Sequence, residues 1–260
     1  MCFGQLGALI IREAVSGGDG SLEIMIPGHR LNAIFCVVRL QNSTAVQEIL
    51  QEDSVKFLNK IITILHQCAH KWEGWANKQE GDKYIITWAL PEIDESDNEK
   101  NESFLEERTE MADKSLITAV KIISEMRRAS SINQVYKSPQ FIAKLGQNQR
   151  PTLNFALHMG WTIEGAIGSE SKIDACYMSP HLQASYKIEK LCEYFDQQIL
   201  VSETLYNIMS LKARNTLRKI DVICMKKEHR EALGIYTYDL SFGSQDQLIT
   251  PEEHEIGDLI

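Results

Sequence analysis

Lys78 and Asp82 stand four residues apart in the stretch Trp75 to Trp88, WANKQEGDKYIITW, and an ammonium beside a carboxylate is a pair that a polar ligand could meet together. Trp75–Lys78 and Lys83–Trp88 look like two strands, and Gln79-Glu80-Gly81-Asp82 between them carries the Gly and Asp that a tight turn needs. A β-hairpin with both charges at its tip is therefore expected. Turn chemistry alone accounts for Asp82 and a solvated strand accounts for Lys78, so this pair needs further residues before it is a site.

Other groups capable of chemistry reduce to ordinary roles. His66 and His70 are four apart on a helical stretch with Cys68 between them, but no third ligand is spaced to join them and the carboxylate of H-E-x-x-H is missing. Gly165, Gly168 and Ser169 do not meet the G-x-x-x-x-G-K-[ST] phosphate-loop pattern. The six cysteines are scattered without a C-x-x-C pair, as reduced thiols are in a cytosolic protein. Trp75 and Trp88 read as core or dimer-face aromatics rather than a base-stacking platform.

The elements that must position these residues follow from periodicity. Leu31–Leu40 (LNAIFCVVRL) reads as a strand buried on both faces. Asp53–Trp72 is a helix whose Val55, Leu58, Ile62, Leu65 and Ala69 recur at helical spacing, and Glu73-Gly74 ends it just before the hairpin. Met111–Arg128 is a second helix, with Leu116, Ala119, Val120, Ile123 and Met126 on one face. Ser130–Pro151 reads as a loop, Leu153–Thr162 as a strand and Ile163–Ser169 as a glycine-punctuated turn into another short strand. A helix over His181–Phe195, strands at Gln198–Val201, Asp221–Cys224 and Ile235–Asp239, and a short helix at Glu203–Met209 complete the chain. The order is α+β: a ferredoxin-like βαββαβ core with an appended β-α and a C-terminal hairpin.

The 260 residues suit one large domain with appendages. The formal charge of −9 is carried by Glu92–Glu110, nine acids against two bases, and by Ser241–Ile260, five acids and no Lys or Arg, which leaves +3 for the remainder. The acidity therefore says little about a partner, and Pro91–Thr109 is expected to be a mobile loop. No basic stripe alternates with aromatics, which argues against nucleic acid. Ala8–Ile11 is too short for a membrane span or a signal peptide.

From about Ile26 to Leu240 the chain resembles the class III nucleotidyl cyclases, and among them the cyclase domains of ciliates and other protists. The motifs that carry the resemblance occur in order: FCVVR (Phe35–Arg39) against F-C-D-I-R, then LQED (Leu50–Asp53), NKQEGD (Asn77–Asp82), HMGWTIEGAIGSESKIDACYMSP (His158–Pro180) and GIYTYDL (Gly234–Leu240). The resemblance implies a lead-in over residues 1–25, a cyclase homology domain over 26–240 with an acidic insertion at 91–110, and an acidic tail over 241–260. It also implies a head-to-tail dimer, homo- or heteromeric, in whose cleft two carboxylates hold two Mg²⁺ or Mn²⁺ ions that activate the ribose 3′-hydroxyl and neutralise the triphosphate.

Several positions depart from that pattern. The first metal carboxylate falls on Val37, whose isopropyl group has no lone pair for a metal, while the second corresponds to Asp82. Lys78 matches the lysine that holds the purine, and the base-selecting position falls on Cys176, a thiol that reads a base edge poorly. The Asn that orients the ribose and the Arg that stabilises the α-phosphate fall on Gln183 and Lys187, and lysine lacks the planar fork of arginine.

The expectation is a cyclase-homology module in the cytoplasm, with a cilium as a candidate setting, that does not cyclise nucleotide alone. The alternatives are half of a heterodimeric adenylate or guanylate cyclase and a non-catalytic nucleotide sensor. The partner is expected to be a homologous cyclase domain, alone or in a larger ciliary assembly, with no nucleic acid and no direct membrane insertion.

Overall fold

The computed structural model describes residues 27–92, 98–147, 149–169, 172–224 and 232–240. The expectations for Ala8–Ile11 and the acidic tail lie outside the described residues. Strand β1 (His29–Leu40) is followed by helix α1 (Ser43–Leu50), a 3-10 turn at Gln51–Asp53, and helix α2 (Ser54–Lys71). Next come β2 (Trp75–Glu80), β3 (Lys83–Leu90), α3 (Asn98–Arg128), α4 (Ser130–Tyr136), α5 (Pro139–Leu145), β4 (Leu153–Ser169) and β5 (Lys172–Met178). The described chain ends with α6 (Pro180–Phe195), β6 (Ile199–Ser202), α7 (Glu203–Tyr206), α8 (Leu211–Asn215), β7 (Leu217–Cys224) and β8 (Ala232–Tyr238).

The eight strands of the described residues form one mixed sheet in the order β2-β3-β1-β4-β6-β8-β7, with β5 paired to β4. The first four strands, ordered β2-β3-β1-β4 with α2 and α3 as crossovers, are the expected ferredoxin-like core, and β7–β8 is the appended hairpin. The run Leu31–Leu40 is buried on both faces because the sheet is covered on both. Ile34, Cys36 and Val38 point into the main core with α2 and α3, and Phe35 and Val37 point into a second cluster beneath α6. Each such aliphatic or aromatic side chain contributes about 1.5–3 kcal/mol by leaving water.

The end of α2 sets the hairpin. Glu73 takes φ 59°, and Gly74 N–H donates to Ala69 O at 2.8 Å, closing the helix in a left-handed turn. The Glu73 side chain is held there by Lys114 Nζ at 2.8 Å. Gly74 admits no side chain, because a Cβ would stand 2.6 Å from the Trp88 ring. That indole is buried and donates through Nε1 to Trp72 O at 2.9 Å.

Four expectations need correction. Asn98–Thr109 is not a loop but the start of the 31-residue α3, since a run of glutamates at a helix N-terminus is favoured by the backbone dipole and a solvated helix needs no apolar face. Ser130–Pro151 is largely α4 and α5, anchored by buried Ile132, Tyr136 and Phe141. Ile163–Ser169 is no turn: β4 runs straight through it for 17 residues and pairs with β5. In the hairpin, β2 extends to Glu80, leaving a two-residue turn of Gly81 (φ 64°) and Asp82.

Candidate functional site

The row of backbone partners Lys78–Ile85–Val37–Ala156 crosses four strands, β2, β3, β1 and β4. Lys78 thus lies within β2, just past an irregularity at Ala76/Lys78, and not at the hairpin tip. The tip is Gly81-Asp82, and only the carboxylate of the expected pair stands there.

Val37 is wholly buried, in a cluster with Phe35, Ile85 and Leu182, against which Tyr177 and Tyr186 pack. Helix α6 supplies Leu182 and Tyr186, and its placement is fixed at its start. Ser179 caps it, accepting from His181 N at 3.0 Å and Leu182 N at 3.3 Å, with Pro180 in the first turn. The Ser179 hydroxyl also donates to Trp161 O at 2.7 Å, tying the helix to β4. Gln183 and Lys187, one position later than the residues that face Val37, are exposed. Cys176 is half-buried and pairs with Gly165 on the β4–β5 ribbon.

Asp82 is engaged elsewhere. Its Oδ2 accepts from the Ser43 hydroxyl at 3.0 Å, at the first residue of α1. Arg39, two residues beyond Val37 on the same face of β1, lies near enough to feel the charge of Asp82. Arg39 donates to Glu189 Oε1 and Glu193 Oε1, each at 2.6 Å, from a side chain that is itself largely covered. Burial pulls the guanidinium down, but the Glu189 hydrogen bond and the charges of Glu189, Glu193 and Asp82 outweigh it, so Arg39 holds its proton more firmly than usual. Burial, and after it the charge of Asp82, raises the Tyr84 phenol.

These donors do not fit two divalent metals. A hydrocarbon side chain stands at Val37, where the sequence resemblance leads one to expect the first carboxylate, Asp82 is hydrogen-bonded to Ser43, and among the described residues no group of three or more His, Cys, Asp or Glu could hold an ion. His66 and His70 are exposed while Cys68 is buried, so the helix does not present them as one site. Arg39 and Ser43 are the residues that sequence reasoning missed. Arg39 carried a signal, because it shares the period-two face with Val37, whereas the contact of Ser43 with Asp82 spans 39 residues and leaves none.

No protein-family model matches the chain. Over 87 residues, 34% of this chain and 17% of the other protein, it is 28% identical to an adenylate cyclase of Anabaena cylindrica. A bacterial light-regulated adenylyl cyclase superposes with a TM-score of 0.62 at 15% identity, covering 96% of this chain and 61% of that one. The adenylyl cyclase CyaB from P. aeruginosa superposes with a TM-score of 0.59 at 16% identity, covering 83% and 97%. The chain therefore spans less than two thirds of the length of the first two proteins. At these identities the likeness to the solved structures is one of fold. Among the described residues no helix is long and apolar enough to cross a membrane.

Proposed function

We propose that this chain, which has the fold of a class III nucleotidyl cyclase catalytic domain, is a pseudo-cyclase that serves as a dimerisation or regulatory module in cyclic-nucleotide signalling. The observation that carries this reading is Val37, buried in a cluster with Ile85 and Leu182 at the position to which the sequence resemblance assigns a metal carboxylate. Asp82 offers one oxygen-ligand residue, and that carboxylate is hydrogen-bonded to Ser43. A chain so built can keep the sheet and helix faces on which such domains pair while lacking the two-ion clamp of the reaction. The partner is a homologous cyclase domain. A cytoplasmic and ciliary setting rests on the sequence resemblance alone.

A second reading has support in α6. Gln183 and Lys187 are exposed and one helical turn apart, so they can face a partner, and a homologue with both metal carboxylates could use them together with Lys78. The chain would then be the complementary half of a heterodimeric adenylate or guanylate cyclase. The purified chain, given ATP or GTP with Mn²⁺, is expected to form no cyclic nucleotide, and sustained turnover by the chain alone would overturn the proposal. Turnover that appears only on mixing with a homologous domain, and falls with Lys187→Ala, would select the second reading. Nucleotide binding without turnover that is weakened by Lys78→Ala would identify a sensor.

A further inference from the structure

The imidazoles of His158 and His181 meet nitrogen to nitrogen. His158 is buried on β4 and His181 is half-buried in the first turn of α6, with Nε2 of the one 3.1 Å from Nδ1 of the other. At that distance one nitrogen donates and the other accepts. On the far side of the His158 ring, Nδ1 stands 2.8 Å from Ser202 Oγ and 3.1 Å from Thr204 Oγ1, and the two hydroxyls are 2.9 Å apart. Counting donors selects the tautomer. With its proton on Nε2, His158 donates to His181, Nδ1 accepts from one hydroxyl and the second hydroxyl donates to the first, so every donor is used inside the cluster. With the proton on Nδ1, one hydroxyl must donate outside it. Ser202 is wholly buried, so that hydroxyl is Thr204, which is half-buried. The neutral pair therefore holds the first arrangement.

Protonation of His181 reverses it. A cationic His181 donates from Nδ1, so His158 Nε2 must accept and His158 must carry its proton on Nδ1, donating to Ser202 or Thr204. One proton is taken up from solvent, His181 ends as the cation, and His158 stays neutral with its proton moved from Nε2 to Nδ1. Burial, and after it the charge of His181, keeps His158 neutral throughout. The charged groups of the surrounding elements are engaged elsewhere. Arg30 of β1 lies over the Trp161 ring, Arg39 of β1 holds Glu189 and Glu193 of α6, Glu164 of β4 faces His29, and Glu203 of α7 is turned to Gly234 N–H and Lys219. Lys187 and Lys190 of α6 are exposed, and the cross-strand partner of His158 on β1 is the apolar Phe35. We propose that the two histidines form a pH-sensitive switch, in which ionisation of His181 at the start of α6 flips the tautomer of buried His158 and turns the Ser202 and Thr204 hydroxyls where α7 begins. Reciprocally, whatever covers the first turn of α6 and shifts the ionisation of His181 resets the hydrogen bonds at α7.

Long-range proton–nitrogen correlation spectra of the imidazole rings in the whole chain, from pH 8 to pH 5, read the tautomers directly. The His158 ring is expected to be protonated on Nε2 at pH 8 and to become protonated on Nδ1 with the same midpoint as the titration of His181, without taking a charge. In His181→Gln, which keeps a hydrogen-bonding side chain but cannot ionise, the His158 tautomer is expected not to change with pH. Thr204→Val removes the hydroxyl that carries the outward donor, so His181 is expected to titrate about one pH unit lower, whereas Thr204→Ser titrates as the native chain does. Thermal midpoints confirm that each variant is folded; should Thr204→Val unfold, Thr204→Ala takes its place. A His181 ring that does not titrate in this range, a His158 ring that keeps one tautomer while His181 titrates, a His181 midpoint unmoved by Thr204→Val, or a change at His158 that persists in His181→Gln would overturn the switch. None of these results depends on whether the chain cyclises nucleotide.

Discussion

The hydroxyl of Ser43 donates to Asp82 at 3.0 Å, joining the first residue of α1 to the turn of the β2–β3 hairpin. The Asp82 carboxylate is thereby part of the scaffold. Removing the hydroxyl in Ser43→Ala should cost about 1 kcal/mol, read as a lower urea midpoint, and should speed amide exchange at Lys83 and Tyr84. Unchanged exchange at the hairpin would show that the bond does not hold the turn.

Arg39 and Glu189 make the most buried ion pair described, with Glu189 fully covered. Arg39→Met leaves that carboxylate without its partner and should destabilise the fold by about 3–5 kcal/mol. Arg39→Met combined with Glu189→Leu should recover most of the loss, because the second change removes the buried charge. Chemical denaturation of both variants checks this, and two losses that simply add would contradict it.

His158 is buried, with Nδ1 2.8 Å from Ser202 Oγ and Nε2 3.1 Å from His181 Nδ1. Burial, and after it the charge of His181, pushes its pKa down from 6.5 to about 3. Below pH 6.5 the unfolded chain therefore takes up a proton that the folded chain refuses, so stability falls as pH drops from 6.5 toward 3. The slope is at most about 1.4 kcal/mol per pH unit from this group. Urea midpoints at pH 7 and pH 5 should draw closer together in His158→Gln than in the native chain, and an equal spacing in both would contradict this origin.

Gly160 clears the space that His181 fills, since a Cβ there would stand 2.1 Å from the imidazole ring. Gly160→Ala should force the ring aside at a cost of about 1–3 kcal/mol, visible as a lower thermal midpoint and as altered His158 and His181 ring resonances. Unaltered resonances would show that the ring contact is not maintained in solution.

How much of this was legible in the sequence depends on the distance over which each feature is encoded. The apolar run Leu31–Leu40, the helical spacing through Leu65 and Ala69, and Gly81-Asp82 are local signals, and each produced the expected element. The acidic start of α3 and the straight course of β4 through Gly165 were not legible, because charge and glycine content mark solvation and freedom rather than shape. At the site, the hydrocarbon side chain of Val37 could be read from one residue. Which residues of α6 face it could not, because a single position turns a side chain by about 100° around the helix. The Ser179 cap fixes that rotation, and it turns Leu182 and Tyr186, rather than Gln183 and Lys187, onto the face of Val37.

On the proposed reading, Val37 and the engaged Asp82 leave no clamp for two ions. Electron paramagnetic resonance of the chain titrated with Mn²⁺ in the presence of ATP or GTP tests it most directly, since two ions about 3.5–4 Å apart couple magnetically. The account predicts only isolated Mn²⁺ signals at every ratio of metal to protein. A coupled pair that disappears in Asp82→Asn would contradict it.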